Sequence, residues 1–107
     1  MGKKPNKITK ILKEFKKKIE MKVKLENLIL FGSRATGNEK ADSDIDLIIV
    51  SENFAGQKSF KRAIQFYKDW DYDYDTDIIC LTPQELEIKK KQIGIIKNAL
   101  KNSITIK

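Results

Sequence analysis

The sequence predicts an α/β domain, a small mixed sheet of three to four strands with helices on one face. Three observations carry that expectation. Apolar residues recur at helical spacing in lysine-rich stretches, apolar runs of strand length lie between them, and Gly, Asn or Pro marks most junctions. Helices alternating with strands pack as layers, which leaves one sheet face covered and the other partly open. A chain of 107 residues has the size of one domain with a single modest core, so residues 1–107 are expected to form one unit.

Each element has its own signal. Asn6 can cap a first helix that carries Ile8, Ile11, Leu12, Phe15 and Ile19 at helical spacing and ends near Lys22. That stripe reads as core packing. A first strand at 27–31 ends at Gly32-Ser33, a short helical turn through Arg34 to Thr36 follows, and Gly37-Asn38-Glu39 reads as loop. The second strand spans 44–51 and the loop at 53–57 contains Gly56. A second amphipathic helix at 57–70 places Phe60, Ala63, Ile64 and Tyr67 on one face. The third strand is expected at 75–81. Thr82-Pro83-Gln84-Glu85 is a capping box with proline at the first helical position, and Leu86 belongs to the helix it starts. After Gly94, Ile95, Ile96 and Leu100 suggest one more short helix, and Ile104-Thr105-Ile106 a terminal strand.

Composition excludes several classes. No apolar run approaches the roughly 20 residues of a membrane span, and the basic start is followed by no signal-peptide segment, so a cytoplasmic protein with no membrane partner is expected. The single cysteine, Cys80, cannot form an internal disulfide, and without histidine no cysteine–histidine zinc site forms. Cys80 reads as a small apolar strand residue. The net charge of +7 is uneven: residues 1–24 carry +8, residues 25–82 carry −5 and residues 83–107 carry +4. An acidic centre between basic ends suits a metal site framed by phosphate-attracting surface. Of the 22 basic residues 20 are lysine, which equally fits a compositional bias and solvated faces.

The densest information lies at 31–50. An apolar strand ends at Gly32-Ser33, and a second apolar run opens with Asp44 and Asp46. Residues i and i+2 of a strand share a face, so the two carboxylates project together beside a Gly-Ser turn whose amides and hydroxyl can hold a phosphate. Magnesium takes a few carboxylates and completes its shell with water and substrate phosphates. The pattern therefore reads as a metal–nucleotide site. Glycine at 32 lets the backbone turn sharply and approach a phosphate closely. Arg34 can reach a phosphate or form a structural salt bridge, and Gly37 is a phosphate approach or a plain turn. Asp69, Asp71, Asp73, Asp75 and Asp77 recur at every second residue, so an extended chain lines them along one face, with Trp70, Tyr72 and Tyr74 turned towards the core.

At Gly32-Ser33-Arg34-Ala35-Thr36-Gly37 and Ser43-Asp44-Ile45-Asp46-Leu47 the chain resembles the minimal nucleotidyltransferases of the DNA polymerase beta superfamily. The resemblance is detailed over the 20 residues 31–50 and looser elsewhere. It implies a nucleotidyltransferase fold, a triphosphate cradle at Gly32 and Ser33, and two magnesium ions held by Asp44 and Asp46. It also implies a third carboxylate on the next strand, as metal ligand or general base, at Asp77 or, one register away, Asp75. The implied activity is transfer of a nucleoside monophosphate, AMP foremost, from ATP or another nucleoside triphosphate to a hydroxyl. Small stand-alone members are often antitoxins of helical HEPN-type toxins, and some modify a tyrosine of the toxin. The resemblance therefore implies a HEPN-type partner protein. Two other classes stay open, a non-catalytic antitoxin or binding module and a nucleic-acid-binding protein acting through its lysine-rich ends, as does a homo-oligomer.

Overall fold

The computed structural model describes residues 7–32, 44–91 and 103–107. Helix α1 (Lys7–Glu20) leads into β1 (Asn27–Phe31), and β2 (Ile45–Val50) into a single 3-10 turn at Glu52–Phe54. Two short helices follow, α2 (Ser59–Arg62) and α3 (Ile64–Asp69), then β3 (Thr76–Leu81), α4 (Pro83–Lys91) and β4 (Ile104–Thr105). The strands form one mixed sheet in the order β3-β2-β1-β4. β1 runs antiparallel to β2 and β4, while β2 and β3 are parallel. Among the described residues no helix is long and apolar enough to cross a membrane.

Strand alternation sorts the sheet into two faces. Leu28, Leu30, Ile45, Leu47, Ile49, Ile78 and Cys80 face α1 and α3, packing on Ile8, Leu12, Phe15, Ile19 and Phe66. The intervening Ile29, Ile48, Val50 and Leu81 face the other way, where Leu86 of α4 covers part of them. Trp70, Tyr72 and Tyr74 lie against the first cluster, as the sequence suggests. Trp70 meets Phe15 edge-on at 4.9 Å and Tyr72 at 4.8 Å.

Three local expectations need correction. The loop expected at 53–57 opens with the 3-10 turn, because Ser51 Oγ accepts the Asn53 amide at 3.1 Å and caps it. The helix expected at 57–70 is broken at Ala63 into two. Its buried face is Arg62, Ala63 and Phe66, while Phe60, Ile64 and Tyr67 are exposed. Arg62 sets that rotation: its guanidinium turns inward to donate to Cys80 O at 3.1 Å and to Glu85, and Phe66 seats edge-on against Phe54 at 5.9 Å. Finally, the aspartates at 69–75 do not line an extended strand. Asp69 closes α3 and pairs with Lys22 at 2.8 Å, and Asp71, Asp73 and Asp75 are exposed ahead of β3.

The capping box forms as expected. The Thr82 amide donates to Glu85 Oε1 at 2.8 Å and the Glu85 amide to Thr82 Oγ1 at 3.1 Å. Asn6 and the helix expected after Gly94 lie outside the described residues.

Candidate active site

The acidic residues singled out in the sequence meet on the sheet face opposite α1. In the parallel ladder Asp46 stands directly across from Asp77, so their backbones are about 5 Å apart and their side chains leave the sheet on the same side. Asp44 lies two residues before Asp46, just ahead of β2, and is exposed. The Ile45 amide donates to Asp75 O at 2.8 Å, and Thr76 Oγ1 donates to Ile45 O at 2.7 Å. These two bonds bracket the strand openings and hold the register that brings Asp46 to Asp77.

Gly32 completes the arrangement from the other side. β1 places Phe31 opposite Asp46, and the chain leaves the sheet at Gly32 with φ +78°, a left-handed conformation that glycine adopts without strain. A Cβ at this position would run into the Asp46 carboxylate. The residue is therefore glycine for two reasons, the turn and the carboxylate lying against it. Ser33, Arg34 and Gly37, the remaining phosphate-binding candidates, lie outside the described residues.

Electrostatics mark Asp46 as the strained member. Burial raises its carboxyl above the ordinary carboxylate range, and the neighbouring charges of Asp77 and then Asp44 raise it further. Among the described residues no three His, Cys, Asp or Glu side chains close into a ready-made metal cage. The arrangement is an open carboxylate face, suited to an ion that draws further ligands from water and phosphate.

One buried polar residue, Arg62, has no assignment from the sequence, whereas Cys80 takes the strand position expected of it. Arg62, buried beneath the exposed face of α2, grips Glu85 with two bonds at 2.6 and 3.2 Å, tying the capping box to the helix pair. Arg62 follows Lys61 in a basic pair, so nothing local in the sequence marks it as the one that turns inward to the glutamate of the capping box. Cys80 is buried in β3, and burial pushes its thiol up to about 12, in keeping with a structural residue.

Comparison with known proteins places this geometry. The family model described as nucleotidyltransferase domain matches residues 8–105. A Methanocaldococcus jannaschii protein, provisionally named a protein adenylyltransferase, is 37% identical over 70 residues, which cover 64% of this chain and 71% of that protein. A Sulfolobus solfataricus crystal structure, provisionally named a nucleotidyltransferase, aligns with a TM-score of 0.67 at 24% identity over 91% of this chain and 77% of that one. A toxin–antitoxin structure with AMP-PNP aligns at 0.58 and 16% identity over 92% of this chain and 72% of that one. At those identities the two structures show a shared fold. The family match over nearly the whole chain, together with the relative's identity, decides the assignment: the chain belongs to the nucleotidyltransferase domain family, whose members are enzymes of nucleotidyl transfer.

Proposed function

We propose that this protein moves AMP from ATP to a hydroxyl group of a partner protein, with magnesium held at Asp44, Asp46 and Asp77, as the antitoxin of a pair with a helical HEPN-type toxin. The observation that carries the reading is the register pairing of Asp46 with Asp77, with Asp44 ahead of them and Gly32 at their side. The donor set fits a hard dication. Hard oxygen ligands crowd one face, and their mutual repulsion with burial resists ionisation of Asp46, a cost that a bound cation relieves. Bound there, two magnesium ions supply charge neutralisation for the triphosphate and the departing pyrophosphate.

The chain's own residues do the rest. Gly32 admits the phosphates close to the backbone, and Ser33 supplies a hydroxyl and an amide to the terminal phosphate. Asp77 accepts the proton of the acceptor hydroxyl as its oxygen bonds to the α-phosphorus. The bond to the β-phosphate oxygen breaks and pyrophosphate leaves. Asp77 is preferred to Asp75 because it lies within β3, directly opposite Asp46, whereas Asp75 precedes the strand. Positioning and electrostatics are the protein's main contribution to such a transfer. A protein acceptor is supported by the relative named a protein adenylyltransferase, and a toxin partner by the fold shared with a toxin–antitoxin. A cytoplasmic location is part of the same reading.

The test is transfer of label from α-labelled ATP with magnesium, using wild type and Asp44→Asn, with host extract as acceptor source. Label on one protein band that disappears with Asp44→Asn supports the reading and identifies the acceptor. Label on RNA or DNA ends would replace the protein acceptor with a nucleic acid. No label from any of the four triphosphates would leave a non-catalytic antitoxin.

A further inference from the structure

The outer face of the α2–α3 pair is apolar where a surface helix is ordinarily polar. Phe60, Ile64 and Tyr67 recur at i, i+4 and i+7, and they are 67%, 49% and 43% exposed. Ala63, where the two helices meet, keeps right-handed helical angles. Beside it lies a groove of about 340 Å³ along β3, bordered by Phe60 and Lys89 and floored by Ala63, Ile78, Cys80 and Leu81. Scattered exposed apolar residues need no explanation, but a contiguous stripe beside an apolar groove marks an interaction surface.

The structure also restricts what can bind there. β3 is an edge strand, the usual place for an added strand to pair. Two outward groups at the middle of the strand are taken: the Ile78 amide donates to Tyr67 Oη at 2.8 Å, and Cys80 O accepts from Arg62 Nη1 at 3.1 Å. An occupant therefore enters by its side chains, as a helix laid in a groove does, rather than by backbone pairing. Charge narrows the choice further. Lys89 lines the groove, Lys58, Lys61 and Lys68 lie within two residues of the stripe along the chain, and none of the four forms an ion pair among the described residues. A second copy placed face to face would set these lysines against their own counterparts, which is repulsive.

We propose that the Phe60–Ile64–Tyr67 stripe and the adjoining groove dock a helix of a different protein, one presenting apolar side chains flanked by carboxylates. The proposal deepens the partner-protein reading above and rests on it for the partner's existence. Phe60 and Tyr67 would be the anchors, since large aromatic side chains dominate such contacts. The lysines would set orientation and speed of encounter more than affinity.

The probe is a labelled synthetic helical peptide with leucine at i, i+4 and i+7 flanked by glutamate, titrated into the full chain by fluorescence anisotropy. Its counterpart carries lysine in place of glutamate. The glutamate peptide is expected to bind at least tenfold more tightly than the lysine peptide, with the difference shrinking at high salt. Phe60→Ser with Ile64→Ser, both at exposed positions, should weaken it at least tenfold, and Lys61→Glu with Lys68→Glu should reverse the preference between peptides. The unfolding midpoint of each variant separates lost binding from lost fold. Equal binding of both peptides, or binding indifferent to the Ser pair in a folded chain, would overturn the proposal. So would a concentration-dependent dimer abolished by the Ser pair, which would assign the face to a second copy. Label transfer measured beside peptide binding on wild type distinguishes the two readings: peptide binding with no transfer fells the catalytic reading alone, and intact transfer without peptide binding fells the docking surface alone.

Discussion

Gly32 and Gly56 both adopt positive φ, +78° and +80°, yet only Gly32 has a neighbour that a side chain would strike. Gly56→Ala should therefore cost only the left-handed backbone, about 1–2 kcal/mol, and leave transfer unchanged. Gly32→Ala should cost at least as much and also displace the Asp46 carboxylate, so transfer should fall far more than stability. Denaturant melts and the labelled transfer assay on the two variants separate these effects. Asp46 makes a second prediction with a definite sign. Its folded carboxyl lies above the ordinary 3.8, so its contribution to stability is full below that value and is lost as pH rises through the raised one. Asp46→Asn should thus melt higher than wild type at neutral pH without divalent cation, the gap closing below about pH 3. Millimolar magnesium should raise the wild-type midpoint and leave the variant's unmoved. Gly32, Asp44 and Asp46 stand out in the sequence by local spacing, whereas Asp77 comes only with the family resemblance and with Asp75 open beside it, because the register of Asp46 on Asp77 is a long-range pairing that spacing does not contain.

At the scale of elements, strands and capping box read correctly because their signals are local: apolar runs of strand length, and a threonine and a glutamate three residues apart that bond each other's amides. The α2–α3 pair did not, since periodicity found the apolar stripe and assigned it inward. Burial instead follows Arg62, whose side chain must reach Cys80 O and Glu85 across the fold, and no local pattern announces such a bond. That bond predicts an acid dependence. Glu85 is held down to about 2 from its ordinary 4.5 by the Arg62 guanidinium and then by the Thr82 amide. A depressed carboxylate stabilises the fold above its unfolded pKa, so wild type should lose this contribution as pH falls from about 4.5 towards about 2. Arg62→Met should flatten that slope, the Thr82 bond retaining part of it. At neutral pH the change should cost roughly 2–3 kcal/mol, between a hydrogen bond to a charged group and a fully buried pair, because Glu85 remains partly exposed. Urea melts of both proteins across the acid range check the slope and the cost together.

Across the molecule, the sheet divides labour between its faces. One packs α1 and the α2–α3 pair into the larger core, and the other carries the carboxylates, with α4 covering part of it. The proposed docking stripe lies on the outer side of α2–α3, away from the buried residues that hold those helices to the sheet, so partner binding and catalysis can be altered separately. Charge follows the same division. The net −5 of residues 25–82 contains the carboxylate face, while the flanking segments carry +8 and +4. An acidic site that takes both a cation and a polyanion needs the cation first, since triphosphate alone is repelled by Asp44, Asp46 and Asp77. Binding of manganese, as a spectroscopic stand-in for magnesium, tests this most directly when followed by electron paramagnetic resonance with and without a non-hydrolysable ATP analogue. Binding should tighten with the analogue, be lost with Asp46→Asn or Asp77→Asn, and survive Asp73→Asn. Undiminished binding in Asp46→Asn, or a loss equally large in Asp73→Asn, would contradict a cation site at these carboxylates.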